Sequence, residues 1–177
     1  MKKLLLPVIA IAVAALVLLG ASFGLRSIAV DNARQEHLKT MKTLLPGSES
    51  FTVEPYTGED ENILSVHKGE SGFVVETQTR GYADDIRIWI GVSNEGTVTG
   101  IQIREMHETM GLGQTALTDA DLLAQFLRSD GSLTVGEGVD AITGATVTSK
   151  AVARCVTSAV AYVTGADVDS GATSWGG

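Results

Sequence analysis

The chain has little of several residue types that particular functions require. Among its 177 residues there is one cysteine, and aromatic residues make up 5%. A single cysteine excludes an intramolecular disulfide framework, a cysteine-ligated iron–sulfur cluster and a cysteine-rich zinc site. The three histidines (His37, His67 and His107) are scattered and show no recognised metal-binding spacing. The sequence therefore predicts no metal centre.

Basic residues are also scarce. There are 13 lysines and arginines against 21 aspartates and glutamates, a formal net charge of -8. Without a basic stripe or aromatic stacking residues, the sequence predicts no nucleic-acid partner. Because hydrophobic residues make up 44%, most of the chain is predicted to be ordered. Its length suits one ordinary domain.

Charge is missing altogether from Leu4 to Leu25, a run of 22 mostly apolar residues. As a helix, such a run reaches roughly 33 Å, enough to cross a bilayer core of about 30 Å. Residues 1–26 are therefore predicted to form a transmembrane anchor in the cell membrane. Lys2 and Lys3 place the N-terminus in the cytoplasm and the main domain outside it. The alternative is a cleaved signal peptide, although the run exceeds the usual apolar region of about 7–15 residues.

Helical and β-strand patterns follow one another after the anchor. Apolar residues at helical spacing predict a juxtamembrane helix within residues 27–47, ended by Pro46-Gly47. Residues 48–165 are predicted to form one extracytoplasmic domain, and residues 166–177 a flexible tail. Within the domain, residues 48–61 are interpreted as a turn-rich connector.

The patterns within the domain predict an α+β fold, an antiparallel sheet packed with helices. Two strands that flank the turn Asn94-Glu95-Gly96 should form a hairpin with one buried face. Cys155 lies on the apolar face of the last helix and should be buried. The predicted strands are 73–79, 86–92, 98–103 and 133–135, and the predicted helices are 120–127 and 147–163, the last followed by Gly165 as its C-cap residue.

A small-residue turn precedes the last helix. It reads Asp140-Ala-Ile-Thr143-Gly144-Ala145-Thr146. Gly144 and Ala145 would let a ligand approach the backbone closely. The free N–H groups and dipole at a helix start favour an anion, typically phosphate. Hydroxyl groups surround this position: Thr143, Thr146, Thr148 and Ser149.

The same residues also suit an ordinary helix N-cap, where threonine and serine are common whether or not a ligand binds. The turn is not a P-loop, because the Gly-Lys-Ser/Thr ending is absent. The turn also does not predict a hydrolase site with a serine nucleophile. Ser149 does not lie in a G-x-S-x-G motif, and no sequence pattern pairs it with a histidine base.

The turn resembles the flavinylation sequence of FMN-binding domains, an Asp, two variable residues, Ser or Thr, then Gly-Ala-Thr. In that family the last threonine carries FMN as a phosphoester, and a separate flavin transferase of the ApbE type makes the bond. The resemblance implies that Thr146 carries covalent FMN. The other residues that it implies around the cofactor here are Asp140, Thr143, Gly144, Ala145, Val147, Thr148 and Ser149.

A second loop resembles the same family. The residues Glu108-Thr109-Met110-Gly111-Leu112-Gly113 are similar to the Glu-Thr-Pro-Gly-Leu-Gly loop of Rnf complex G subunits. The related C subunits of the sodium-pumping NADH:quinone reductase share that loop. Met110 replaces the usual proline. The resemblance implies that residues 108–113 approach the flavin.

The family resemblance implies an electron carrier. A covalent FMN would act as a one-electron relay in a membrane complex that oxidises ferredoxin, reduces NAD and moves ions, with other membrane subunits as partners. No residue is an evident substrate acid or base, as expected for a relay. One alternative is a stand-alone anchored flavoprotein of extracellular electron transfer, or a subunit of the quinone-reductase type. Another is a non-redox module that holds a phosphate ligand.

Overall fold

A computed structural model gives the fold. It describes residues 13, 14, 16, 30–111, 113–131, 134, 135, 138–140 and 144–166. The chain divides into two compact units, Met1–Lys39 and Thr40–Gly177. Within the described ranges, no helix is both long enough and apolar enough to cross a membrane. Most of the predicted anchor, and residues 167–177 of the predicted tail, lie outside those ranges.

The second unit contains a five-stranded antiparallel sheet whose strands follow one another in chain order. Alternating apolar residues and tight turns favour this meander, since each strand pairs with the next along the chain. The predicted hairpin is confirmed: Ile90 pairs with Ile101, and Gly91 pairs with Gly100. The strands are β1 (Thr52–Glu54), β2 (Ile63–Lys68), β3 (Gly72–Arg80), β4 (Asp85–Ser93) and β5 (Val98–Glu105).

Helices cover both faces of this sheet. Helix α4 (Thr146–Thr164) packs its apolar side against β3 and β4. The predicted helices 120–127 and 147–163 are confirmed within one or two residues, and Gly165 ends α4 in the left-handed conformation. The remaining elements are α1 (30–44), α2 (Gly113–Thr118), α3 (Ala120–Phe126) and α4 (Thr146–Thr164), with a parallel pair of short strands, β6 (Thr134–Val135) and β7 (Gly138–Val139).

The expectation that the hairpin buries a single face is wrong, because β4 is buried on both. Ile88 and Ile90 join the core beneath α4, whereas Trp89 packs with Val74 and Leu45 on the opposite face. The C-terminal end of α1, together with the following Leu45, covers this second face. Strand alternation alone shows which residues share a face, not what covers each face.

The end of α1 lies directly on the glycine pair of the hairpin. A side chain at Gly91 would overlap the Leu44 carbonyl oxygen, and a Cβ at Gly100 would lie 2.8 Å from the Leu44 Cα. Thr99 donates a hydrogen bond from Oγ1 to the same carbonyl at 2.6 Å. We call Leu44, Gly91, Thr99 and Gly100 the helix contact.

Four elements were not predicted from the sequence: β1, β2, β7 and α2. The segment interpreted as a connector contains β1, a three-residue edge strand that pairs only with β2. Its neighbour β2 has a bulge near Ile63, which interrupts the alternation used to identify strands. Helix α2 begins at Gly113, the last residue of the loop 108–113, which we call the glycine-rich loop, and glycine is a poor helix former.

Cys155 is fully buried on the apolar face of α4, as predicted. Burial raises the pKa of its thiol to about 12, although a hydrogen bond with Thr77 opposes the shift. The thiol is therefore neutral at physiological pH and serves as a small core residue.

Candidate functional site

The N-cap residue of α4 does not cap the helix through its side chain. Thr146 is the first residue of this 19-residue helix, and the preceding Ala145 supplies no side-chain capping bond. Gly144 has a φ of +82°, a conformation that favours glycine. A helix start leaves backbone N–H groups without intrahelical acceptors. The end of α4 can therefore accept an anionic group from outside the helix.

Three hydroxyl residues occupy the first turn of α4, and their surroundings differ. Thr146 is exposed, whereas Thr148 and Ser149 are fully buried. Thr148 donates to Glu108 Oε2 at 2.9 Å, and Ser149 donates to the Ala145 carbonyl at 3.1 Å. Thr146 is thus the exposed one of the three hydroxyl residues.

Glu108 is a buried acidic side chain that joins separate parts of the chain. Its side chain is only 9% exposed. Oε2 accepts the bond from Thr148, and Oε1 accepts the backbone N–H of Ala83 at 3.1 Å. A side chain at Gly81 would overlap Oε1, and one at Gly113 would overlap Oε2. We call Gly81, Ala83, Glu108, Gly113 and Thr148 the carboxylate contact.

Residues 109–111 of the glycine-rich loop are exposed to solvent. Met110, which replaces the family's usual proline, is 83% exposed. Gly111 has a φ of +80°, and a side chain there would enter open space. The Thr109 carbonyl accepts the Gln114 N–H at 3.3 Å, which joins the loop to α2. Exposed Met110 and Gly111 are therefore available to a ligand, whereas Gly113 is taken up by the carboxylate contact.

Asp140 is exposed and lies beside α3. Its backbone N–H donates to Gln125 Oε1 at 2.8 Å, and its carboxylate accepts a bond from Gln125 Nε2 at 3.5 Å. These bonds connect the end of β7 to α3. Val147 is half-buried in the first turn of α4. Thr143 and Leu112, two further predicted site residues, lie outside the described residues.

Sequence reasoning missed two features next to the site. The turn at Gly81–Asp84 reaches Glu108 through the Ala83 amide, a long-range bond that no local motif indicates. Lys150 is exposed and follows Thr146 by four residues, so both lie on one face of α4. The four-residue spacing could have indicated that the Lys150 ammonium lies beside a phosphate bound to Thr146.

The arrangement fits a phosphate ester better than substrate acid–base chemistry. An exposed hydroxyl, a helix start and a cation one turn later can bind and neutralise a phosphate. The buried carboxylate has both oxygens engaged within the protein, which leaves Glu108 poorly placed to exchange a proton with a substrate.

Comparison with known proteins agrees with this geometry. The sequence profile of the FMN-binding domain family matches residues 81–161. That range contains Thr146, the carboxylate contact and the glycine-rich loop.

Three relatives are, by name, G subunits of ion-translocating or proton-translocating oxidoreductase complexes. The chain is 37% identical to the G subunit of the ion-translocating oxidoreductase complex of Methanosarcina acetivorans, over 73% of this chain and 76% of the relative. It is 36% identical to the G subunit of the Na(+)-translocating ferredoxin:NAD(+) oxidoreductase complex of Acetobacterium woodii, over 52% of this chain and 51% of the relative. It is 30% identical to the G subunit of the proton-translocating ferredoxin:NAD(+) oxidoreductase complex of Clostridium ljungdahlii, over 77% of both. The chain therefore belongs to the family of G subunits of Rnf-type ion-translocating oxidoreductase complexes.

Proposed function

We propose that the protein carries FMN covalently on Thr146 and relays electrons within an Rnf-type complex that couples ferredoxin oxidation and NAD reduction to ion movement. The observation that carries the proposal is the first turn of α4, where the exposed Thr146 begins a helix that receives no side-chain capping bond from Ala145. The match of the FMN-binding domain profile to residues 81–161 and the names of the three relatives support it.

Each residue at the helix start has a defined role in this proposal. Thr146 loses its hydroxyl proton and forms the ester through its side-chain oxygen, while the flavin donor loses the group that was bound to its phosphorus, so the modified chain gains the mass of FMN less one water. The backbone amides of the first turn of α4 and the Lys150 ammonium stabilise the phosphate charge. Gly144 keeps the approach to this end free of a side chain. The flavin, when bound, supplies the redox chemistry.

The remaining parts of the proposal concern the membrane and the partners. Leu4–Leu25 would anchor the chain in the cell membrane with its N-terminus in the cytoplasm, so that the FMN-binding domain is extracytoplasmic. A covalent bond suits that compartment, where a dissociated cofactor could not easily be recovered. An ApbE-type flavin transferase would attach the FMN, and other membrane subunits would exchange electrons with it.

The attachment is tested by the Thr146→Val variant. The full chain and the variant are each co-expressed with a flavin transferase, and intact and peptide mass spectra are recorded. In the chain without substitution, we expect the peptide that contains Thr146 to gain the mass of FMN less one water. In the Thr146→Val variant, we expect the corresponding peptide to gain no mass. Thr146→Ser keeps the hydroxyl and should retain part of the modification.

Thr157→Val is the matched control. Thr157 lies on the same helix and donates to the Gly131 carbonyl at 3.0 Å, far from the helix start. This variant should be fully flavinylated. Covalent FMN on Thr146→Val, or none on the unaltered chain with a transferase that modifies a control protein, would contradict the proposal.

Membership in a complex is tested separately. Affinity purification of the full chain from its native membranes should recover several multi-spanning subunits together with ferredoxin-dependent NAD reduction. Recovery of the flavinylated chain alone would favour the stand-alone electron carrier instead.

A further inference from the structure

We infer that Glu108 is a positioning residue, which holds the first turn of α4 in the arrangement that presents Thr146 for flavinylation. The inference rests on the proposed function for the identity of the cofactor. Glu108 itself is buried and directed into the protein, so its effect on Thr146 would pass through Thr148.

The carboxylate contact joins three segments that are distant in the sequence. Oε1 binds the turn between β3 and β4 at Ala83, and Oε2 binds α4 at Thr148. The same two oxygens lie against Gly81 and against Gly113, the first residue of α2. One side chain thus contacts the turn, the start of α2 and the start of α4.

The tight fit around Glu108 supports a positioning role. A Cβ at Gly81 or Gly113 would overlap the carboxylate, so both positions leave space that only glycine provides. A buried carboxylate that loses one of its two donors is left with an unsatisfied oxygen. The first turn of α4 therefore has one favourable position relative to Glu108.

Thr148 connects this position to the attachment residue. Thr146 and Thr148 are two residues apart in the first turn of α4, where the backbone is a single rigid element. A shift of Thr148 therefore moves the Thr146 hydroxyl and the adjacent amides together. Misplacement of a reacting group by about 1 Å can slow a reaction by ~10²-fold.

The first experiment removes the hydroxyl of Thr148. Folded Thr148→Val protein and the unaltered chain are incubated with purified flavin transferase and its flavin substrate, and FMN incorporation is followed by intact mass. We expect incorporation to be about tenfold slower in the variant, as expected for loss of a buried hydrogen bond to a carboxylate. Thr157→Val, the matched control on the same helix, should react at the unaltered rate. Equal rates for Thr148→Val and Thr157→Val would overturn the inference.

The second experiment tests whether Glu108 acts through its hydrogen bonds, by comparing Glu108→Gln with Glu108→Ala. Glu108→Gln keeps an oxygen for the Ala83 amide and offers an N–H to the Thr148 oxygen. It should react within about threefold of the unaltered rate, whereas Glu108→Ala should be slowed at least as much as Thr148→Val. If Glu108→Gln were as slow as Glu108→Ala, the two hydrogen bonds would not be the cause.

A measurement without flavin distinguishes failure of this inference from failure of the proposed function. Amide hydrogen exchange is measured, all without flavin, on the chain without substitution, on Thr148→Val and on Thr157→Val. Thr148→Val should speed exchange of the Ala83 amide, because that amide binds the same carboxylate; Thr157→Val should not. Unchanged exchange at Ala83 overturns the coupling through Glu108. An unaltered chain that accepts no FMN overturns the proposed function, and with it the part of the inference that concerns flavinylation.

Discussion

The helix contact and the carboxylate contact share one structural feature, a pair of glycines. In each, two glycines leave room for a group that arrives from another segment of the chain. At the helix contact that group is the backbone of Leu44, which lies on Gly91 and Gly100. At the carboxylate contact it is the Glu108 side chain, which lies between Gly81 and Gly113.

The difference lies in what each contact holds in place. The helix contact fixes the end of α1 on the sheet face that contains Val74 and Trp89, next to an apolar cluster. The carboxylate contact is polar and joins the turn Gly81–Asp84 to the start of α4, where Thr146 is exposed. We therefore expect damage to the first to appear mainly as lost stability, and damage to the second mainly as lost flavinylation.

The largest effect on stability is expected for Gly91→Ala. The new Cβ would overlap the Leu44 carbonyl oxygen, which is backbone and cannot rotate away. Overpacking of this kind costs about 1–3 kcal/mol of unfolding free energy. For a domain of this size, each kcal/mol lowers Tm by about 2–4 °C. Thermal unfolding followed by circular dichroism measures the loss.

FMN incorporation into Gly91→Ala, measured below the Tm of this variant, tests the difference between the helix contact and the carboxylate contact. The fraction of folded Gly91→Ala chains that accept FMN should equal that of the unaltered chain. A normal Tm, or the expected Tm loss accompanied by failed incorporation, would contradict the division between the two contacts.

An intermediate effect is expected at Gly113, and Gly165, at the far end of α4, supplies the matched control. Gly113→Ala would place a Cβ against Glu108 and Thr148, so FMN incorporation should be slowed about tenfold, with a stability loss of about 1–2 kcal/mol. Gly165→Ala enters open space but has a φ of +69°, so it should lose about 1 kcal/mol through backbone strain alone. Chemical denaturation and the mass-spectrometric rate assay measure the two quantities.

The contrast between these glycines would fail if Gly165→Ala slowed incorporation as much as Gly113→Ala. A general loss of stability, rather than displacement of Glu108, would then explain the slow rate.

Sequence patterns predicted the regular elements of this fold better than its contacts. Alternation in β4 and β5 and helical spacing from Val147 to Val163 are local, and both predictions are confirmed. The pairing of Glu108 with Ala83 and Thr148 spans 25 and 40 residues. Spacing within a motif cannot show such a pairing.

The candidate site illustrates the same limit. The family motif drew attention to Glu108, Gly113, Thr146 and Thr148 without separating their roles. The structure separates exposed Thr146 from buried Thr148 and Glu108, because exposure depends on how the loop, α2 and α4 pack. Asp140 has its own partner in Gln125, which the sequence did not indicate.

The smallest effect is expected for Thr99→Val, the helix-contact counterpart of Thr148→Val. Thr99 donates to the Leu44 carbonyl at 2.6 Å, and valine keeps the shape of the side chain while removing that bond. Thr99 is half-buried, so water can reach part of this contact, and the loss should be about 0.5–1.5 kcal/mol. Equilibrium denaturation detects this change, and FMN incorporation should stay at the unaltered rate. The two substitutions each remove one threonine hydroxyl that binds an acceptor more than 30 residues away in the chain. If Thr99→Val slowed flavinylation as much as Thr148→Val, general loosening of the domain would explain both results. A slow rate confined to Thr148→Val would require a specific link between Glu108 and the start of α4.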